Sequence, residues 1–165
     1  MNDEWAGFQR RETEPARNTF APLPDTDGFV DQVGPYHICL DEGLVRLAFE
    51  VEPRHCNPNG ACHGGALATL LDTELAVAGR VQARVVDRFL LTISLSIDYV
   101  GAPLIGDWVV TRADVVRRTR NMVFMHGVAS CRGVVLARAS GVFRLGPDIP
   151  TDNAISRMAR EAGLA

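Results

Sequence analysis

The stretch Asn57-Pro58-Asn59-Gly60-Ala61-Cys62-His63-Gly64-Gly65, followed by Asp72, holds the residue types of an acyl-transfer site. Gly64 and Gly65 stand where a loop runs into an apolar segment of helical length, and the first N–H groups of a helix have no acceptor inside it. Without Cβ atoms, the two glycines let another molecule approach those donors closely. The positive end of the helix dipole adds to their pull on an oxyanion or carbonyl oxygen. Donors aimed in this way are typically worth about 10²- to 10³-fold in rate. Asp72 lies two turns further along. A carboxylate in an otherwise apolar helix faces a cavity, pairs with a partner, or points outward beside Thr73 and Glu74 as a solvated edge. Next to a carbonyl-polarising amide, a carboxylate acting as base or nucleophile completes a minimal acyl-transfer set. Asn57 offers a donor and an acceptor that could orient a water or the loop, and His63 is placed to lock the turn by hydrogen-bonding a backbone carbonyl.

Other chemistries lack their signatures. There is no Gly-x-Ser-x-Gly elbow, no phosphate-binding P-loop and no Gly-x-Gly-x-x-Gly fingerprint. His55-Cys56 and Cys62-His63 form a local cluster of metal-ligand types, yet five residues separate the cysteines and each adjoins a histidine, which is poor spacing for structural zinc. With Cys39 and Cys131 they read as buried, unreactive thiols, and no metal is expected.

The elements that must position these residues follow from periodicity. Residues 1–24 carry many charges and end in Pro22 and Pro24, which reads as a solvated arm. A short helix is predicted within Asp25–Gly34, capped by Asp25 or Asp27. Two strands follow, Tyr36–Leu40 and Leu44–Glu52, joined across Asp41-Glu42-Gly43. Gly64–Val81 is apolar on nearly all sides and predicts a buried central helix. Four strands come next: Phe89–Val100, Trp108–Arg117, Met122–Cys131 and Val134–Leu145. Their short turns favour antiparallel pairing. A terminal helix within Thr151–Leu164 is capped by Thr151 or Asp152. The order predicts an α+β fold, an antiparallel sheet wrapped around one long helix. The divisions are an arm (1–24), the domain (25–147) and a helical tail (148–165).

Composition agrees. The 165 residues are the length of one domain, and 47% apolar against 22% charged describes a packed core. A net charge of −3 supplies no global attraction to nucleic acid or anionic membrane, so an anion would have to be met locally. An acidic N-terminus without an apolar run, and no apolar stretch long enough to span a bilayer, lead us to expect a cytoplasmic protein.

The spacing Asn57-x-x-Gly60-x-x-His63-Gly64-Gly65, with Asp72, the strand Thr92–Tyr99 and the Gly106-Asp107 turn, resembles the hotdog-fold acyl-CoA thioesterases, more narrowly their phenylacetate-degradation branch. The resemblance spans about Phe29 to Leu145. It implies hydrolysis of an acyl-CoA to a free acid and CoA, with no cofactor beyond the CoA of the substrate. Asp72 matches the family's general base or nucleophile, and Gly64 the residue whose N–H polarises the thioester carbonyl. Asn57 and His63 match positions shaping the site around water. Thr92 falls where a Ser or Thr from the neighbouring subunit is placed, so that a homodimer or homotetramer with sites at the interface is implied. Gly65, Tyr99, Arg117, Arg118 and Arg120 are implied in holding the CoA, where guanidinium groups suit phosphate. Otherwise the arginines are a solvated hairpin end. Thr119 stands where many relatives have Gly, and Val100-Gly101-Ala102-Pro103 replaces a more basic loop. Two rivals remain on the same fold. A non-catalytic acyl-CoA sensor or assembly module would bind CoA esters without releasing thiol, and a hydratase would want a His facing a carboxylate across the acyl chain.

Overall fold

The computed structural model describes residues 14–24, 28–41, 43–150 and 152–163. Among them seven strands form one antiparallel sheet in the order β1-β2-β3-β5-β6-β7-β4. The strands are β1 (Ala21–Pro22), β2 (His37–Asp41), β3 (Leu44–Glu50), β4 (Arg88–Tyr99), β5 (Trp108–Arg118), β6 (Met122–Cys131) and β7 (Val134–Asp148). Helix α1 (Phe29–Val33) precedes β2, α2 (Gly64–Gln82) runs between β3 and β4, and α3 (Ala154–Glu161) follows β7. This is the expected α+β arrangement, with α2 as the helix the sheet wraps.

The wrapping follows from side-chain alternation. Along β6 the residues alternate between half-buried and buried, so Val123, Met125, Gly127, Ala129 and Cys131 face the helix. Leu67, Leu70, Leu71, Leu75 and Ala78 of α2 meet them and the β3 residues Val45, Leu47 and Phe49 in one core. Close approach is set by glycine. A Cβ on Gly127 would stand 3.0 Å from the Leu75 side chain, and one on Gly141 3.1 Å from it. Leu75 therefore packs almost on the β6 and β7 backbones, which bends the sheet about the helix.

Two capping expectations change. Asp25 and Asp27 lie outside the described residues, and the N-cap of α1 is Gly28, whose N–H donates to Asp31 Oδ2 at 3.0 Å. Helix α3 is capped by Asn153, whose Oδ1 accepts from Ser156 N at 3.0 Å, rather than by Thr151 or Asp152. Residues 14–24 lie against the sheet. Arg17 stacks 4.4 Å over the Trp108 ring and pairs with Glu50, while Ala21 and Pro22 add a two-residue strand beside β2. Such a cation over an indole face holds the arm where composition alone suggested solvent.

Glu74 is the largest surprise within α2. It is fully buried, not part of a solvated edge with Asp72. The β3–β5 ladder pairs only Ala48↔Val110, Phe49↔Val109 and Glu50↔Trp108. One step on, side chains replace the ladder: Leu47 N donates to Glu74 Oε2 at 2.8 Å, and Thr111 Oγ1 lies 2.9 Å from both Leu47 O and Glu74 Oε2. A hydroxyl has one hydrogen, so it cannot donate to both oxygens. A protonated Glu74 donating to Thr111, with Thr111 donating to Leu47 O, accounts for both contacts, while Glu74 Oε1 stays buried without a partner. Burial, first among the causes, pushes the Glu74 carboxyl from 4.5 up to about 8. Between these values the folded chain keeps a proton that the unfolded chain releases, so this group's contribution to stability falls as pH rises from about 4.5 to 8. Glu74→Gln, which keeps a donor toward Thr111, is expected to flatten that slope and to be more stable than the parent at pH 9. Urea midpoints across pH read the effect, and parallel pH profiles would remove the assignment.

Candidate active site

Helix α2 begins with its cap made by the residue just before the glycines. His63 has extended backbone (φ −68°, ψ 137°), and its Nδ1 accepts from Gly65 N at 2.8 Å, so it locks the turn through an amide of the helix start rather than through a backbone carbonyl. A neutral His63 ring therefore carries its hydrogen on Nε2. Gly65 N–H is thus occupied by the cap. Gly64 N–H finds no acceptor among the described residues, as the first turn of a helix dictates. Tyr99, at the end of β4, closes over this point: its hydroxyl donates to Gly64 O at 3.0 Å, and a Cβ on Gly64 would lie 3.3 Å from the ring. Glycine at 64 lets β4 seat against the start of α2.

Asn57 turns inward on its own loop. Its Oδ1 accepts from Asn59 N at 2.9 Å and Ala61 N at 3.3 Å, while Gly60 takes a positive φ of 79°. The side chain thereby shapes the turn that delivers His63 and Gly64. His55 and His63 are engaged separately, since His55 Nδ1 accepts from Glu52 N at 2.9 Å and its Nε2 faces Gly34 O. Among the described residues no group of three or more His, Cys, Asp or Glu could hold a metal ion.

Asp72 occupies the one stripe of α2 that the sheet leaves partly open, with Gly65, Ala68, Thr69, Thr73 and Ala76. Their spacing by three and four marks a single helix face. Thr92 of β4 donates to Asp72 Oδ1 at 2.9 Å. This pairing lies within one chain, whereas the resemblance implied a threonine from the neighbouring subunit. Periodicity could not reveal it, because the two residues are brought together only when β4 doubles back along α2.

Gly64 and Asp72 do not converge. Eight residues of α-helix separate them by about 12 Å along the axis, too far for one small carbonyl group to touch both. Arg118 lies further still, its Nη1 donating to Ala83 O at 2.6 Å at the opposite end of α2. Arg117 and Arg120 stay exposed near that end. Along the open side, β4 is the edge of the sheet and presents apolar side chains to solvent, including Leu91, Ile93 and Tyr99, with Leu104 and Ile105 beyond it.

Comparison with known proteins agrees with this fold. The family profile described as Thioesterase superfamily matches residues 59–137, from the Asn57 turn through α2 into β7. A Pseudomonas aeruginosa protein named "Putative esterase PA0474" is 31% identical over 128 residues, covering 76% of this chain and 94% of its own. Among solved structures, a variant of the phenylacetic acid degradation protein PaaI from Thermus thermophilus aligns with a TM-score of 0.62 and 26% identity, over 70% of this chain and 96% of that one. The BH2602 protein from Bacillus halodurans, solved with CoA, aligns with a TM-score of 0.55 and 25% identity, over 61% and 66% of the two chains. With a single long helix wrapped by an antiparallel sheet, and its glycine start and Asp72 inside the matched region, the chain belongs to the thioesterase superfamily.

Proposed function

We propose that the protein hydrolyses an acyl-CoA thioester at a site shared between two copies of the chain. The observation that carries this reading is the placement of Asp72. Its carboxylate is held by Thr92 on an open helix face, about 12 Å from the unpaired Gly64 N–H of the same chain. A second copy related by a two-fold axis, with β4 paired edge to edge, sets Gly64 of one chain opposite Asp72 of the other. The twelve residues of β4 supply the unpaired backbone edge, and Leu91, Ile93 and Tyr99 the apolar surface that such pairing covers. Gly64 N–H then receives the thioester oxygen as negative charge develops, and Asp72 acts on the carbonyl carbon, as base through a water or as nucleophile. The thiol of CoA is a good leaving group and needs no strong acid. His63 keeps the Gly64 amide aimed by capping Gly65, and Arg117 and Arg120 are the exposed cations available to an anionic nucleotide.

The test is release of CoA thiol from aryl, short-chain and medium-chain acyl-CoA esters. Turnover of at least one class is expected. Saturable binding of all with no thiol release would replace hydrolysis by a binding role.

A further inference from the structure

Cys56 and Cys62 stand directly opposite each other across an isolated antiparallel bridge at the neck of the Asn57–Ala61 turn. The flanking hydrogen bonds, Asn57 N to Ala61 O at 2.8 Å and His63 N to His55 O at 2.7 Å, lie outside the pair. That pattern makes it a non-hydrogen-bonded pair, with side chains on one face and Cα atoms about 4.5 Å apart. Disulfides span about 4.4–6.8 Å between Cα atoms, so this neck is within reach. Both thiols are free: Cys56 is partly exposed and donates to Glu52 O at 3.5 Å, and Cys62 is buried and faces His63 O at 3.8 Å. Cys39 on β2 and Cys131 on β6 have no cysteine opposite them in the ladder.

We propose that Cys56 and Cys62 are a redox-active dithiol, oxidised by low-molecular-weight disulfides, whose cross-linking displaces the Gly64 amide. The Cys56 thiolate attacks one sulfur of the small disulfide and expels one small thiolate. Cys62, losing its proton to water or to that thiolate, then attacks the Cys56 sulfur and expels the second small thiol. In sum two protein thiols and one disulfide become one protein disulfide and two small thiols, the protein sulfurs being oxidised by two electrons. Burial, and then the neighbouring Cys56, push the Cys62 thiol up to about 11, so the reduced pair gains no stability from an easily formed thiolate there. Cys56 is therefore the attacking sulfur and Cys62 the resolving one.

The link to the active site is mechanical. The usual Cα separation in a disulfide is about 5.5–6 Å, so closing the bond widens the neck by about 1 Å. Cys62 is joined directly to His63 and Gly64, and the opposite strand is held at Glu52 by His55. A shift of about 1 Å in a positioned catalytic donor can cost about 10²-fold in rate. This regulatory consequence rests on the function proposed above, whereas the cross-link itself does not.

The full chain is treated with oxidised glutathione and digested with trypsin, which leaves residues 55–80 as one peptide containing both cysteines. The expected peptide is two hydrogens lighter, amide exchange increases over residues 63–67, and CoA release falls at least about tenfold, all reversed by dithiothreitol. Cys56→Ser keeps the basal turnover and loses all three responses. A peptide carrying only a glutathione adduct, or no change, overturns the dithiol. The lighter peptide with unaltered exchange over 63–67 overturns the mechanical link, a readout that holds whether or not the protein hydrolyses acyl-CoA.

Discussion

Replacing Asp72 by Asn is expected to lower kcat for thioester hydrolysis by about 10³-fold, with KM within a few-fold of the parent. The amide keeps the size of the side chain, and its Oδ1 still accepts from Thr92, so the 2.9 Å contact and the partly open stripe of α2 persist. What is lost is the carboxylate that removes a proton from water or bonds to the acyl carbon, a role confined to the transition state. An equal fall in kcat and kcat/KM, with an unchanged unfolding midpoint, is the expected pattern. Full turnover by this variant would assign the chemistry to another group.

Gly64→Pro is expected to lower kcat by about 10²- to 10³-fold by deleting one N–H. Proline is well suited to the first helical position, where its missing donor has no intrahelical acceptor to lose. It requires an extended residue before it, and His63 already has φ −68° and ψ 137°. Its ring must share space with Tyr99, from which a Cβ at 64 would stand 3.3 Å. Gly64→Ala meets the same crowding yet keeps the N–H, so a much smaller loss in the alanine variant isolates the donor. Mixing the two defects reads the shared site. If Asp72 of one copy works with Gly64 of the other, a dimer of Asp72→Asn and Gly64→Pro chains has one unaltered site and one doubly defective site. Co-expression should then restore about a quarter of parental turnover, since half of randomly paired dimers are mixed and half of their sites are intact. No recovery would overturn the site shared between two copies.

The central helix was legible because its evidence is local. Ala66, Leu67, Leu70, Leu71 and Leu75 repeat at helical spacing, and glycines before them mark its start. The strands from β4 to β7 were legible for the same reason, as in the alternation along Met122–Cys131. Residues whose roles depend on facing elements were not. Composition reads residues 1–24 as a solvated arm, yet Arg17 and Phe20 rest on Trp108, a ring far away in the chain. Arg118 was grouped with Arg117 and Arg120 by proximity in sequence, but its bond to Ala83 O draws it onto the end of α2.

By itself the sequence determined which residue types lie on one helix and in what order: glycines at 64 and 65 where the loop enters it, and a carboxylate two turns on. Helical rise alone makes Gly64 and Asp72 too distant to serve one carbonyl. Only the tertiary structure decided their partners. Thr92 reaches Asp72 because β4 returns alongside α2, Glu74 is buried because the β3–β5 ladder opens beside it, and Cys56 faces Cys62 because Asn57 folds the loop between them. Periodicity orders side chains about their own axis, whereas the group opposite each face is set by contacts between segments distant along the chain.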